Sequence, residues 1–188
     1  MIKQLILLTL FLLYLPTSLF SNEIEAILNS NYAVKFGVNS GTVDYQYASS
    51  QLSLFLALSG TYEYTPWWHS IGELKLSQRK FHVSDETNIY DVENTYLQIP
   101  VMLRFSKYNT NDKTRAGFLV GAYAEYLLKT SQDDLFKGDV GGILGLQYEW
   151  TLKNDKRLFL EYKYEIGLKQ FKTFGRNKNA SLGLGYDF

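Results

Sequence analysis

His82 and Ser84 stand two apart in Lys80-Phe81-His82-Val83-Ser84, and Asp85 and Glu86 follow at once. An imidazole can take the proton of a nearby hydroxyl, and a carboxylate can orient the imidazole. His82, Ser84 and Glu86 are thus a candidate hydrolytic set. The competing reading is three polar residues in or beside a mobile surface connector. The other histidine, His69, lies in Pro66-Trp67-Trp68-His69-Ser70, which reads as an aqueous turn beside two tryptophans. Glu161 and Glu165 could suggest paired-carboxylate acid–base work. With Lys163 and Arg104 they read better as an internal ion-pair network, because charges in a narrow dry space must be matched. Gly138–Gly145 is glycine-rich, but no helix pattern follows to cradle a phosphate. Asp85–Glu86 and Asp133–Asp134 could hold calcium weakly. They could equally solvate connectors.

Composition narrows the field. Lys plus Arg and Asp plus Glu are both 19, so the net charge is zero. A balanced chain gives no electrostatic case for nucleic acid. Cysteine is absent, which excludes disulfides, thiolate metal sites and cysteine nucleophiles. No cofactor or metal site is expected. The 15 tyrosines and 12 phenylalanines suit strands and membrane interfaces.

The elements that must position these residues are strands. Residues 1–21 are set apart: Lys3 precedes a run of apolar residues, then Pro16, Ser18 and Ser21. This pattern reads as a secretory signal peptide cleaved after Ser21. A membrane anchor is the alternative, although the run is short of the roughly 20 apolar residues a spanning helix needs. Residues 22–188 then form one domain. In it, a period of two recurs in eight runs, the signature of strands with one apolar face. One run sets Tyr32, Val34, Phe36 and Val38 against Lys35, Gly37 and Asn39. Another sets Leu158, Leu160, Tyr162, Tyr164 and Ile166 against Glu161, Lys163 and Glu165.

Polar connectors separate the runs. Those around residues 40–50, 81–94, 129–139 and 169–179 are long, and those between are short. Long extracellular loops and short periplasmic turns alternate in this way in outer-membrane barrels. Both termini are therefore expected in the periplasm.

Alternation alone does not say which face is inside. The polar face mixes glycines with Lys35, Glu73, Lys75, Arg104, Glu125, Glu149, Glu161, Lys163 and Glu165. A water-facing strand gains nothing from glycine, whereas a small barrel interior must fit large beside small. These nine charges are expected in the lumen, with the apolar face toward lipid. Tyr62, Tyr64, Phe105, Tyr126, Tyr148, Trp150, Tyr186 and Phe188 are expected in two aromatic girdles.

The chain stops on Ser181-Leu182-Gly183-Leu184-Gly185-Tyr186-Asp187-Phe188. This ending resembles the β-signal by which outer-membrane barrels are recognised for insertion. Ser181, Gly183, Tyr186 and Phe188 fill its places. The resemblance implies the barrel assembly machinery as a partner.

Residues 30–188 resemble small eight-stranded outer-membrane barrels of the OmpX/OmpA-like and PorT-like groups. Tyr96–Phe105, YLQIPVMLRF, is similar to the strand YLxIPxLLxF of PorT-like barrels, with Pro100 inward. The resemblance implies an all-β, eight-stranded, antiparallel up-and-down transmembrane barrel in a diderm outer membrane, in contact with lipid and lipopolysaccharide. The groups share no catalytic residues. A non-enzymatic structural or surface-interaction role, carried by extracellular loops and an extracellular ligand or host surface, is the first reading. The His82–Ser84 pair resembles that of lipid A deacylase barrels, so a lipid-modifying hydrolase is the second. A narrow pore is the third, although eight strands leave an interior filled by side chains.

Overall fold

The structure, a computed structural model, describes residues 30–44, 47–84, 89–109, 113–131, 137–152, 156–171 and 175–188. The expected signal peptide and Glu86 lie outside the described residues. The described chain is eight strands: β1 (Ser30–Val43), β2 (Ala48–Thr65), β3 (Trp68–Ser84), β4 (Ile89–Asn109), β5 (Thr114–Thr130), β6 (Gly138–Thr151), β7 (Arg157–Phe171) and β8 (Gly175–Asp187). Each strand pairs antiparallel with the next, and β8 pairs with β1, with Phe36 opposite Leu184. The sheet is a closed eight-stranded barrel, the architecture that the alternation and the glycine-bearing polar face predict. Closure leaves no edge strand to aggregate.

The two faces are unambiguous. Lys35 is 2% exposed, and its neighbour Phe36 is 58% exposed. A water-soluble barrel would reverse those values. Leu52, Leu54, Leu56, Leu144, Leu146 and Leu182 continue the exposed apolar belt. Inside, glycine makes room for rings. The Phe55 ring lies against Gly183, where a Cβ would stand 2.6 Å from Cζ, and the Phe159 ring lies against Gly185. Pro100 faces inward and has no N–H to give. The β3–β4 ladder accordingly passes from Gly72–Val101 to Lys75–Gln98.

Two expectations need correction. Most of the 81–94 connector is strand: β3 continues to Ser84, and β4 starts at Ile89. The cause is a second apolar cluster inside the barrel, Val43, Phe81, Val83 and Val92, with Ala48 packed against it. Buried side chains hold the ladder together beyond the point where the outer face turns polar. β2 to β5 have 17 to 21 residues, against 13 to 15 for β6, β7, β8 and β1, so one wall is taller.

The aromatic girdles are also unequal. Tyr62, Tyr64, Phe105, Tyr148, Trp150, Tyr186 and Phe188 all gather at the end that carries the β2–β3 turn and the C-terminus. Trp68 and Phe105 meet edge to face at 4.7 Å, as do Tyr148 and Trp150. Of the eight named aromatics, Tyr126 alone lies toward the opposite, loop end. Strand ends look alike in a sequence, but antiparallel order sends alternate ends to the same rim.

Candidate functional site

The lumen is the densest concentration of chemistry in the molecule. Odd-numbered residues of β3 point inward, which places Glu73, Lys75 and Arg79 in one column. Even-numbered residues of β4 place Gln98 and Arg104 there. Odd-numbered residues of β7 place Glu161, Lys163 and Glu165 opposite. The columns meet in three groups.

At the centre, Lys35 and Lys163 alternate with Glu73 and Glu161. Lys35 Nζ donates to Glu161 at 2.9 Å and also to Glu73. Lys163 Nζ donates to Glu73 at 2.7 Å and stands 2.8 Å from Glu161. Toward the loop end, Lys75 donates to Glu165 at 2.8 Å. Arg79 makes a forked contact with Glu125, at 3.0 and 2.8 Å, and reaches Glu165 at 3.2 Å. Gln98 and Asn179 donate to Glu165 at 3.1 and 2.9 Å. Rings complete the shell: Lys75 lies 4.9 Å over Phe55, and Arg79 4.7 Å over Tyr96.

The third group sits at the turn end. Arg104 donates to Glu149 at 2.8 Å and to Gln147. Arg157 donates to Asp187 at 2.6 Å and to Glu63, and Arg115 reaches Glu63 at 3.1 Å. The expectation that Arg104 joins Glu161 and Glu165 is therefore corrected. Arg104 lies nearer the turns, and Lys35, Lys75 and Arg79 take its place. An apolar cluster of Ile71, Met102, Leu119, Tyr123 and Ile143 fills space beside the charges. Arg79, Glu63, Arg115, Arg157 and Asp187 are further members that the candidate set lacked. Arg79 shares the inward parity of Lys75 and could have been added from the alternation. Arg157 sits in a stretch that reads as a turn.

His69 is not in an aqueous turn. It is 0% exposed and faces the lumen. Its Nε2 takes an N–H from Arg115 at 2.8 Å, and Nδ1 lies 3.4 Å from Ser106 Oγ. Parity decides this: Trp68 faces out, so its neighbour faces in.

His82 also differs from expectation. It belongs to β3 and points to the outer wall, directly across from Asp91 on β4. Nδ1 contacts Asp91, and Nε2 contacts Gln51. Ser84 gives its backbone N–H to the Tyr47 carbonyl at 3.0 Å. The ring nitrogens are thus engaged across the sheet, and Asp91 holds the position offered to Glu86. Lys80 pairs with Glu93 at 3.2 Å in the same strip. Among the described residues no group of three or more histidine, aspartate and glutamate side chains converges on a metal position.

At the C-terminus, Ser181 and Gly183 face the lumen, and Tyr186 and Phe188 face outward. The Phe188 N–H bonds to the Tyr32 carbonyl at 3.0 Å, so the last residue is tied to the first strand.

An apolar outer belt around a charged, closed interior defines an integral outer-membrane β-barrel. The sequence matches the family described as outer membrane protein beta-barrel domain over residues 20–173, and the chain belongs to that family. Solved structures share the fold. Neisserial surface protein A aligns at TM-score 0.55 and 10% identity, covering 83% of this chain and 95% of that one. A major outer membrane protein from Thermus thermophilus aligns at TM-score 0.53 and 10% identity, covering 82% and 99%. Ail, the attachment invasion locus protein of Yersinia pestis, in complex with the heparin analogue sucrose octasulfate, aligns at 0.50 and 16% identity, covering 85% and 99%. No curated protein matches the sequence.

Proposed function

We propose that this chain is a non-enzymatic surface-interaction barrel whose ligand meets the loop end. The observation that carries this reading is the matched lumen: among the described residues, seven cations meet seven carboxylates in ion pairs. With these described lumen charges engaged by one another, recognition falls to the rim. The loop end exposes Lys129, Lys137 and Arg176, which suit an anionic glycan or lipopolysaccharide phosphate. Ail is a fold neighbour solved with a heparin analogue, which makes heparin a sensible first probe. Cells displaying the protein should bind labelled heparin. The triple variant Lys129→Glu, Lys137→Glu, Arg176→Glu should lose that binding at unchanged surface level. Equal binding by both would remove the glycan reading.

The orientation belongs to the same proposal. The termini and turns lie in the periplasm, the tall β3–β4 wall lies outside, and residues 1–21 are removed on export. Refolded protein in planar bilayers should give no steady conductance, because permeation would require several buried ion pairs to open together. A stable open channel would revive the pore reading. Lipid A acyl chains should be the same with and without the protein, since Gln51 holds the Nε2 that a His82–Asp91 pair would use as base.

The terminus is read as an address for the assembly machinery. Deleting Phe188 should lower the amount in the outer membrane and leave unfolded chain in the periplasm. The same variant should still refold in micelles to a heat-modifiable barrel, because the outward ring adds about 1–2 kcal/mol of burial. Wild-type outer-membrane levels would make Phe188 only a strand end.

A further inference from the structure

The tall wall carries its outer polar groups in columns. Above the apolar belt, β3 presents Gln78, Lys80 and His82 outward, and β4 presents Thr95, Glu93 and Asp91. In register, Lys80 stands opposite Glu93, and His82 opposite Asp91. The N–H donors Lys80 and His82 thus share one strand, and the two carboxylates share the next.

Pairing within the chain does not use these groups up. The Lys80 and Glu93 side chains keep 36% and 52% exposure, and those of His82 and Asp91 keep 38% and 79%. An ammonium has N–H groups for more than one acceptor, and a carboxylate has lone pairs for more than one donor. The backbone of β4 is already capped here: the Glu93 N–H goes to Ser131 Oγ at 3.0 Å, and the Glu93 carbonyl takes the Ser131 N–H at 3.1 Å. Side chains are therefore what this strip offers outward. Below them the same two strands turn Leu74, Leu76, Leu97 and Ile99 toward lipid.

Such a strip selects its partner. Two carboxylates outweigh Lys80, so the strip does not attract a phosphate or a sulfate. A matching surface must set acceptors against β3 and donors against β4, at the same spacing. A second copy does this by symmetry. Two barrels inserted in the same sense are related by a two-fold axis only along the membrane normal, and that axis keeps each residue at its own height. Placed between β3 and β4, it sets β3 of one copy against β4 of the other.

We infer that the outer face of β3 and β4 is the interface of a two-fold dimer of this chain in the membrane. Lys80 and His82 of each copy meet Glu93 and Asp91 of the other, so each cross-strand pair becomes a group of four. Leu74 and Leu76 continue the contact into the belt, against Leu97 and Ile99.

The test uses the full mature barrel refolded into dilute zwitterionic lipid vesicles, half the copies carrying a donor dye and half an acceptor dye at the N-terminus. Wild-type copies should show energy transfer, weaker in molar salt because exposed charge pairs are screened. Lys80→Glu with His82→Glu makes the strip wholly acidic, and Asp91→Lys with Glu93→Lys makes it wholly basic. Each variant alone should lose the transfer, because like charges then face each other. An equimolar mixture of the two should regain it. Heat-modifiable gel mobility checks that each variant is folded. If a fully reversed strip does not fold, Lys80→Glu and Glu93→Lys alone make the same comparison. Lys107→Glu with Lys113→Glu, exposed at the turn end, should leave the transfer unchanged. Wild-type transfer no greater than that of the separate variants would overturn the inference. So would transfer that survives in either variant alone, or folded variants that stay apart when mixed.

Discussion

Replacing Glu165 with leucine should destabilise the barrel by about 3–5 kcal/mol, the usual loss when one partner of a buried ion pair is removed. Glu165 holds Lys75 at 2.8 Å and Arg79 at 3.2 Å, and it accepts from Gln98 and Asn179. Its removal strands the Lys75 ammonium, because Arg79 retains Glu125 but Lys75 pairs with no second carboxylate among the described residues. Urea unfolding of refolded protein in lipid vesicles measures the effect. The double change Glu165→Leu with Lys75→Met should recover much of the loss, because a matched apolar pair carries no stranded charge. A double variant as unstable as the sum of the two single ones would show that the pair is not coupled.

A second large effect is expected on the opposite face. Leu144 lies in the middle of β6, is 51% exposed and sits between Val120 and Tyr164 in register. Leu144→Arg places a cation in hydrocarbon, at a cost of about 2–4 kcal/mol near the midplane. Gln78→Arg is the control. Gln78 points outward on β3, two residues past Leu76, where the outer face has turned polar. The control should be close to neutral. The same pair of variants in a micelle of short, loosely packed detergent should differ less. Equal losses at both positions in vesicles would place the belt elsewhere.

Parity made most of this legible. The alternation around Lys35, Lys75 and Lys163 gives strand, face and interior together, because period two permits no other arrangement once glycine marks the crowded side. Which charges then meet is not in the pattern. Arg104 pairs with Glu149 rather than Glu161 because strand tilt and register fix its height, and neither is written in one strand alone. His69 was obscured by its neighbours: a Pro-Trp-Trp run reads as a turn, and the strand starts one residue before the histidine. Phe81, Val83 and Val92 alternate as strand residues do, but the acidic stretch between them hid a ladder that continues past the membrane belt. His82 and Asp91 came together by cross-strand register, not by sequence proximity.

The lumen pairs also set the order of events in folding. Lys35 and Glu161 are 126 residues apart in the chain, and Lys75 and Glu165 are 90 apart. No hairpin contains both members of either pair, so an isolated hairpin carries Lys35 or Lys75 without that partner. Loop-closure entropy delays the long-range contacts further. A half-made sheet is therefore a poor guest for hydrocarbon, and its inner face stays wet until β8 meets β1. Entry into the bilayer and closure of the cylinder then become a single cooperative step, with a transition state that forms late. Slow, one-step refolding kinetics, in which secondary structure and protection of the lumen side chains appear at the same rate, are the behaviour such a barrel should show.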